Sequence, residues 1–156
     1  YYVGRKQNQL IEQQNAIYDQ QNKLYELDIA QRIYGLRVEV YNETKKIFQA
    51  MIVDPSDPDI LMKDVSRTVS ECRFLFSDDV VNFVVDMANH AASMKMLGKN
   101  ILQLDKLIQS GVENSKQHEN YTKLLEKHQI HLEWFSENIV RVDEIFVPEI
   151  RISHRE

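Results

Sequence analysis

Three consecutive seven-residue units near the start of the chain share one pattern of hydrophobic and polar positions. They read QNQLIEQ, QNAIYDQ and QNKLYEL over residues 7–27. Because seven residues make two helical turns, the same face recurs, and the pattern predicts a helix that associates with other helices. The predicted packing residues are two adjacent hydrophobic positions in each unit: Leu10, Ile11, Ile17, Tyr18, Leu24 and Tyr25.

The same seven-residue frame continues and predicts one helix over about residues 3–53. One hydrophobic phase contains Val3, Leu10, Ile17, Leu24, Val38 and Ile52, with Gln31 and Lys45 as exceptions. The partner phase is hydrophobic only in its second part, at Leu27, Tyr34, Tyr41 and Phe48. Proline excludes helical geometry before it and lacks a donor, so the segment 54–58 with its two prolines should end this helix.

Three further hydrophobic stripes predict three further helices. The second helix should begin with Asp57 as N-cap and Pro58 in the first turn. Its stripe is Leu61, Val65, Val69 or Thr68, Cys72 and Phe76. Ser77 is the predicted N-cap of the third helix, which runs to about Ser110, with Gly111 as its stop. The fourth helix covers about 115–146, and Pro148 should end it.

Helix lengths predict the architecture. At 1.5 Å per residue, the first helix is roughly 75 Å long and the third and fourth are about 50 Å each. The first helix must therefore overhang the others. The predicted fold is all-α, with a membrane-proximal stalk at 1–28, an antiparallel helical bundle at 29–147 and a C-terminal tail at 148–156.

Composition narrows the classes of function. The 156 residues include only 4 glycines and 3 prolines, which favours long helices, and the formal net charge of −5 weighs against DNA as a partner. The single cysteine, Cys72, excludes an internal disulfide and should be a buried thiol. No stretch is apolar enough for a transmembrane helix. Two aromatic residues precede Arg5 and Lys6, however, as at the cytoplasmic exit of a membrane span, which predicts an anchor before Tyr1 and cytoplasmic residues after it.

Few residues suggest chemistry. His128 and His131 share a helix face, but no further ligand stands at a suitable spacing, so a structural pair is favoured over a metal site. The segments Phe74–Phe76 and Trp134–Phe135 are predicted core anchors. Arg151 and His154 could hold a phosphate or act in acid–base chemistry, and a solvated terminus is the alternative. No metal or cofactor is expected.

The amide-rich first helix, the helical bundle and the late arginine–histidine pair resemble the small membrane-anchored accessory proteins of type VI-B CRISPR systems. The resemblance covers the whole chain and rests on architecture. It implies a divergent HEPN-like bundle, a bacterial inner-membrane location, a partnership with an RNA-guided nuclease or its products, and an oligomeric pore that enhances antiphage defence. The HEPN signature separates arginine from histidine by more than the two residues between Arg151 and His154, which favours a non-catalytic bundle.

The heptads independently predict a homo-oligomer larger than a dimer, since a narrow coiled coil would bury amides. In a ring, the amides could line an aqueous lumen. The predicted lining residues are Gln7, Asn8, Gln14, Asn15, Gln21 and Asn22. Two alternatives stay open: a HEPN-type ribonuclease that uses Arg151 and His154, and a coiled-coil scaffold of a single-span membrane protein.

Overall fold

Four α-helices make up the protein. The computed structural model describes residues 2–53, 58–111 and 114–152. In chain order the helices are α1 (Tyr2–Val53), α2 (Pro58–Leu75), α3 (Asp78–Gln109) and α4 (Ser115–Ile152). These described ranges contain no β-strand. The predicted all-α fold with a long first helix is therefore confirmed.

The helices form an antiparallel bundle in which each packs against two neighbours. α1 contacts α2 and α4, and α3 contacts the same two helices from the opposite corner. Short connections between consecutive helices give the up-down-up-down arrangement. Aromatic rings fill the centre: Phe48 of α1 stacks on Phe83 of α3 at 5.8 Å and meets Phe135 of α4 edge-on at 5.2 Å between ring centroids.

Unequal helix lengths leave two projections at opposite ends of the bundle. α2 has 18 residues, so the four-helix region is roughly 27 Å long. At the end where α2 finishes, α1 continues outward, and every side chain in 2–29 is exposed. At the other end, α3 and α4 extend past α2 as a two-helix hairpin. The sequence predicted the first projection and missed the second.

The buried stripe of α1 differs from the predicted heptad rows. Its fully buried residues are Val40, Thr44, Ile47, Phe48 and Met51, whereas Val38, Tyr41 and Ile52 are only half-buried. The buried residues Val40, Thr44, Ile47 and Met51 keep the alternating spacing of four and three, so the seven-residue repeat holds. Its phase is shifted by one residue from the predicted rows, so the bundle buries a neighbouring face of α1.

Lys45, an exception in the predicted hydrophobic row, joins α1 to α4 at the surface. Its ammonium lies 3.2 Å from Asp143 of α4 and donates to the Tyr41 hydroxyl at 3.2 Å. Tyr41 donates to the same carboxylate. The hydrogen bond from Tyr41 is the main cause of the lowered pKa of Asp143.

The prediction that Pro148 ends the fourth helix is wrong, because α4 continues through Pro148 to Ile152. Proline removes one backbone donor, yet the turn that follows is held by tertiary contacts. Ile150 is buried in the core, and the backbone carbonyl of Glu149 accepts a hydrogen bond from Arg37 at 3.0 Å.

The two ends of α3 agree to different degrees with their predicted caps. Gly111 has φ +76 directly after the C-cap Ser110, so the predicted glycine stop of α3 is confirmed. Ser77 is the N-cap of α3, but its side chain makes no capping bond. It donates instead to the Glu149 carboxylate at 2.7 Å, and the Ser77 amide does so at 2.8 Å. Asp57 lies outside the described residues.

Arg37 fixes the point where α1 leaves the bundle. Its Nε donates to the Leu75 carbonyl at the end of α2 at 2.8 Å, and its Nη1 reaches the Glu149 carbonyl of α4. Terminal helix carbonyls have no intrahelical donor and carry partial negative charge, so a guanidinium suits both. The root of the projecting helix is thus joined to the ends of α2 and α4.

The predicted core anchors divide. Phe135 is fully buried and Trp134 and Phe76 are half-buried, but Phe74 is 89% exposed. The prediction for Phe74 is wrong because it lies two residues after the buried Cys72, about 200° round the helix, and so on the opposite face of α2. Cys72 is fully buried, as predicted. Burial raises the pKa of its thiol to about 12, with a smaller effect from Glu149.

Candidate functional site: the exposed rows of α1

The part of α1 outside the bundle carries two long rows of exposed hydrophobic side chains. One row is Leu10, Ile17 and Leu24, and the other is Ile11, Tyr18 and Tyr25; we call them the leucine row and the tyrosine row. All six side chains are between 54% and 67% exposed. Exposed hydrophobic residues are ordinary when scattered, but a periodic set along one helix marks an interaction surface.

The two rows are separated on the helix by a row of amides. Successive residues of an α-helix are about 100° apart, so the tyrosine row lies about 100° round from the leucine row. Gln7, Gln14 and Gln21 fall between them, about 50° from each. This glutamine row is exposed throughout. We call the three rows together the α1 seam.

Other side chains of the projection lie outside the seam. Asn8, Asn15 and Asn22 follow the tyrosine row on its far side, and Glu12, Asp19 and Glu26 lie on the back of the helix. The structure therefore places the six predicted lining residues on two separate rows, divided by the tyrosine row. Between residues 3 and 25 the seam carries no charged side chain.

The bundle does not cover the seam. For a straight helix, the buried stripe through Val40, Thr44 and Ile47 lies roughly a third of a turn from the seam, beyond the tyrosine row. The seam thus remains accessible along the whole projection.

The arginine–histidine pair does not form a described site. Arg151 is exposed in the last turn of α4. His154 lies outside the described residues, so the structure does not bring the two side chains together.

A histidine pair lies where α3 meets α4, near the hairpin end of the bundle. Nδ1 of His90 is 2.8 Å from Nδ1 of His131, and the His90 ring stacks on Trp134 with 4.1 Å between centroids. One nitrogen must carry a proton and the other must offer a lone pair, so the contact cannot persist when both imidazoles are charged. His128 lies one turn before His131 on α4.

Burial and like charge disfavour protonation of this group. Burial is the main cause that lowers the pKa of His90, and His131 lowers it further against a smaller opposing effect of Asp86. Burial also lowers the pKa of His128, again with a contribution from His131. No set of three or more histidine, cysteine or acidic side chains within the described ranges is arranged to hold a metal.

We expect the bundle to lose stability in mild acid. Unfolded histidines titrate near 6.5, whereas His90 and His128 take up protons at lower pH when folded. The unfolded chain then binds more protons, so the free energy of unfolding falls as the pH drops below about 6.5. Urea unfolding measured from neutral pH to about pH 5 tests this. His90→Gln should flatten the dependence, because an amide hydrogen-bonds without titrating near neutrality.

The matched control for that experiment is His118→Gln, since His118 is an exposed histidine in the first turns of α4. It should leave the pH dependence as in the parent. Equal slopes for the parent and His90→Gln would contradict the assignment of the effect to the His90–His131 pair.

Sequence reasoning found His131 but not its partner. His90 lies 41 residues away on α3, and only the register between α3 and α4 brings the rings together. The sequence holds no signal that could have found this partner, because pairing across helices has no local pattern.

Comparisons with protein-family models, curated proteins and solved structures find no match to this chain. Across the ranges that the structure describes, no helix is both long enough and apolar enough to cross a membrane.

Proposed function

We propose that this protein is a homo-oligomeric assembly subunit, in which the α1 seam joins more than two copies and the bundle is carried beside the joined helices. The observation that supports this is the exposed pair of hydrophobic rows on the projecting part of α1. The described part of a single chain offers these rows no partner, and their seven-residue spacing is that of a helix that packs along neighbouring helices.

A second copy of the chain suits the seam better than a charged partner. Each copy presents the same rows at the same spacing, so identical helices match layer by layer. The seam is uncharged between residues 3 and 25, so copies approach without like-charge repulsion, and glutamine amides both donate and accept hydrogen bonds. The acidic side chains Glu12, Asp19 and Glu26 stay on the solvent side.

The finer proposal is a membrane-associated conduit of polar character. The resemblance to accessory proteins of type VI-B CRISPR systems supports this proposal. The same resemblance implies a HEPN-like bundle without catalysis and a role in antiphage defence beside an RNA-guided nuclease. The amides of the seam are what such a conduit needs, since neutral polar side chains tolerate water and ions.

Membrane depolarisation in cells tests the conduit. We expect expression of the full-length protein to depolarise the membrane and Ile17→Asp to abolish this, because a carboxylate in the leucine row prevents assembly. Ala16→Asp introduces the same charge on the back of the helix and should depolarise as the parent does. The oligomer size of each variant is measured in parallel by native mass.

Two results would redirect the proposal. If the parent assembles but does not depolarise the membrane, the protein is a coiled-coil scaffold and the conduit is wrong. If the parent is a monomer in detergent and in membranes, assembly itself is wrong. No observation in the described residues favours the ribonuclease alternative over the conduit or the scaffold.

A further inference from the structure

A two-stranded coiled coil can bury only one of the two hydrophobic rows of the seam. Such a coil buries two rows about 50° apart, which here are one hydrophobic row and the glutamine row. The other hydrophobic row would stay in water, and three layers of amide would be buried. This arrangement leaves hydrophobic area exposed to water, and the desolvation of the buried amides also costs free energy.

We propose that the seam closes copies of this chain into a ring of about five parallel helices, in which the leucine row of each copy packs against the tyrosine row of the next. This inference rests on the proposed function and specifies its interface. The contact is heterologous, because the two surfaces that meet are different. Each copy therefore has two neighbours and both of its hydrophobic rows are covered.

The angle between the rows sets the number of copies. In a closed ring, the two lines of contact on each helix subtend the interior angle, about 90° for four members, about 108° for five and about 120° for six. The rows of the seam are about 100° apart. Four to six copies fit this angle, whereas a much larger ring would need the two rows on nearly opposite sides of the helix.

Closure also decides what lies on the axis and outside. The glutamine row bisects the two contacts, so Gln7, Gln14 and Gln21 point to the axis as three stacked rings of amides. Their amides can bond to one another round the ring or to water along it. Asn8, Asn15 and Asn22 fall outside the tyrosine row, which limits the lining to the glutamines.

The bundle fits outside such a ring. Its buried stripe on α1 lies roughly a third of a turn from the seam, on the side of the tyrosine row, so each bundle is displaced outward and sideways in the same sense. Arg37 holds α1 at the ends of α2 and α4 and so fixes this direction. A pinwheel of bundles round a central helical ring is the resulting shape.

Disulfide cross-linking between adjacent rows tests the ring. Ile17→Cys places a thiol in the leucine row and Tyr18→Cys places one in the tyrosine row. In the ring, only the double variant brings thiols of neighbouring copies within bonding distance. We expect mild oxidation of the double variant to give a covalent ladder that stops at the native oligomer mass, with four to six chains. Cys72 is buried with a raised pKa and should stay reduced.

Each single variant serves as a control and should remain a monomer under denaturing conditions. A covalent dimer from Ile17→Cys alone, together with a native dimer mass, would overturn the ring while leaving homo-oligomeric assembly intact. A ladder without an upper limit would also overturn it, since an open filament then replaces closure. A monomeric parent would instead refute the proposed function. Each variant should unfold on heating at the same temperature as the parent, which shows that the bundle is unaffected.

Discussion

We expect Ile17→Asp to convert the assembled protein into monomers. Ile17 lies in the middle of the leucine row and is 56% exposed in the single chain, so it becomes buried only on assembly. A carboxylate at that interface loses its hydration without gaining a partner, which costs several kcal/mol for each contact. A loss of about 4 kcal/mol weakens association roughly a thousandfold. Sedimentation or native mass measurement reports the change directly.

The stability of the bundle should not change in this variant. Ile17 lies about 20 Å along α1 from the first half-buried side chain, Ala30. Ala16→Asp is the matched control, because it adds the same charge one residue away on the back of the helix. It should assemble as the parent does. If both aspartates dissociate the protein, the effect is one of net charge, and the leucine row is not the interface.

Phe48→Ala should have the largest effect on folding. Phe48 is fully buried, and its ring contacts Phe83, Trp134 and Phe135 from two other helices. Truncation removes the shared contact of three rings and leaves a cavity that the surrounding helices cannot fill. Replacement of a buried phenylalanine by alanine costs about 3–5 kcal/mol. Urea unfolding followed by circular dichroism gives the change in the free energy of unfolding.

Phe74→Ala is the control with the same chemical change. Phe74 is 89% exposed on α2, so its removal should alter the free energy of unfolding by no more than about 0.5 kcal/mol. Equal losses for Phe48→Ala and Phe74→Ala would contradict the described core. A loss confined to Phe74→Ala at high protein concentration would instead show that its exposed ring contacts another copy.

Local pattern was sufficient to predict the helices. The low glycine and proline content and the recurring stripes predicted four of them, and Gly111 ends α3 as its sequence position suggests. The end of α4 could not be predicted in this way, because Pro148 is locally unfavourable in a helix. Only tertiary contacts, the burial of Ile150 and the bond from Arg37 to Glu149, hold the turn after it.

The α1 seam also depends partly on the local sequence pattern and partly on the tertiary structure. The sequence by itself determined its two hydrophobic rows and the glutamines between them, because seven-residue spacing fixes angular positions on any helix. It did not determine that the rows are free. That depended on the shortness of α2 and on the face of α1 that the bundle buries.

The tertiary structure decided the histidine pair and which of the predicted aromatic core anchors are buried. His90 and His131 meet because α3 and α4 pack in one register, and nothing within either helix encodes that register locally. Phe74 and Phe76 differ in burial because α2 turns one face toward α1 and α3. Periodicity fixes which side chains share a face, and packing between helices decides which faces meet.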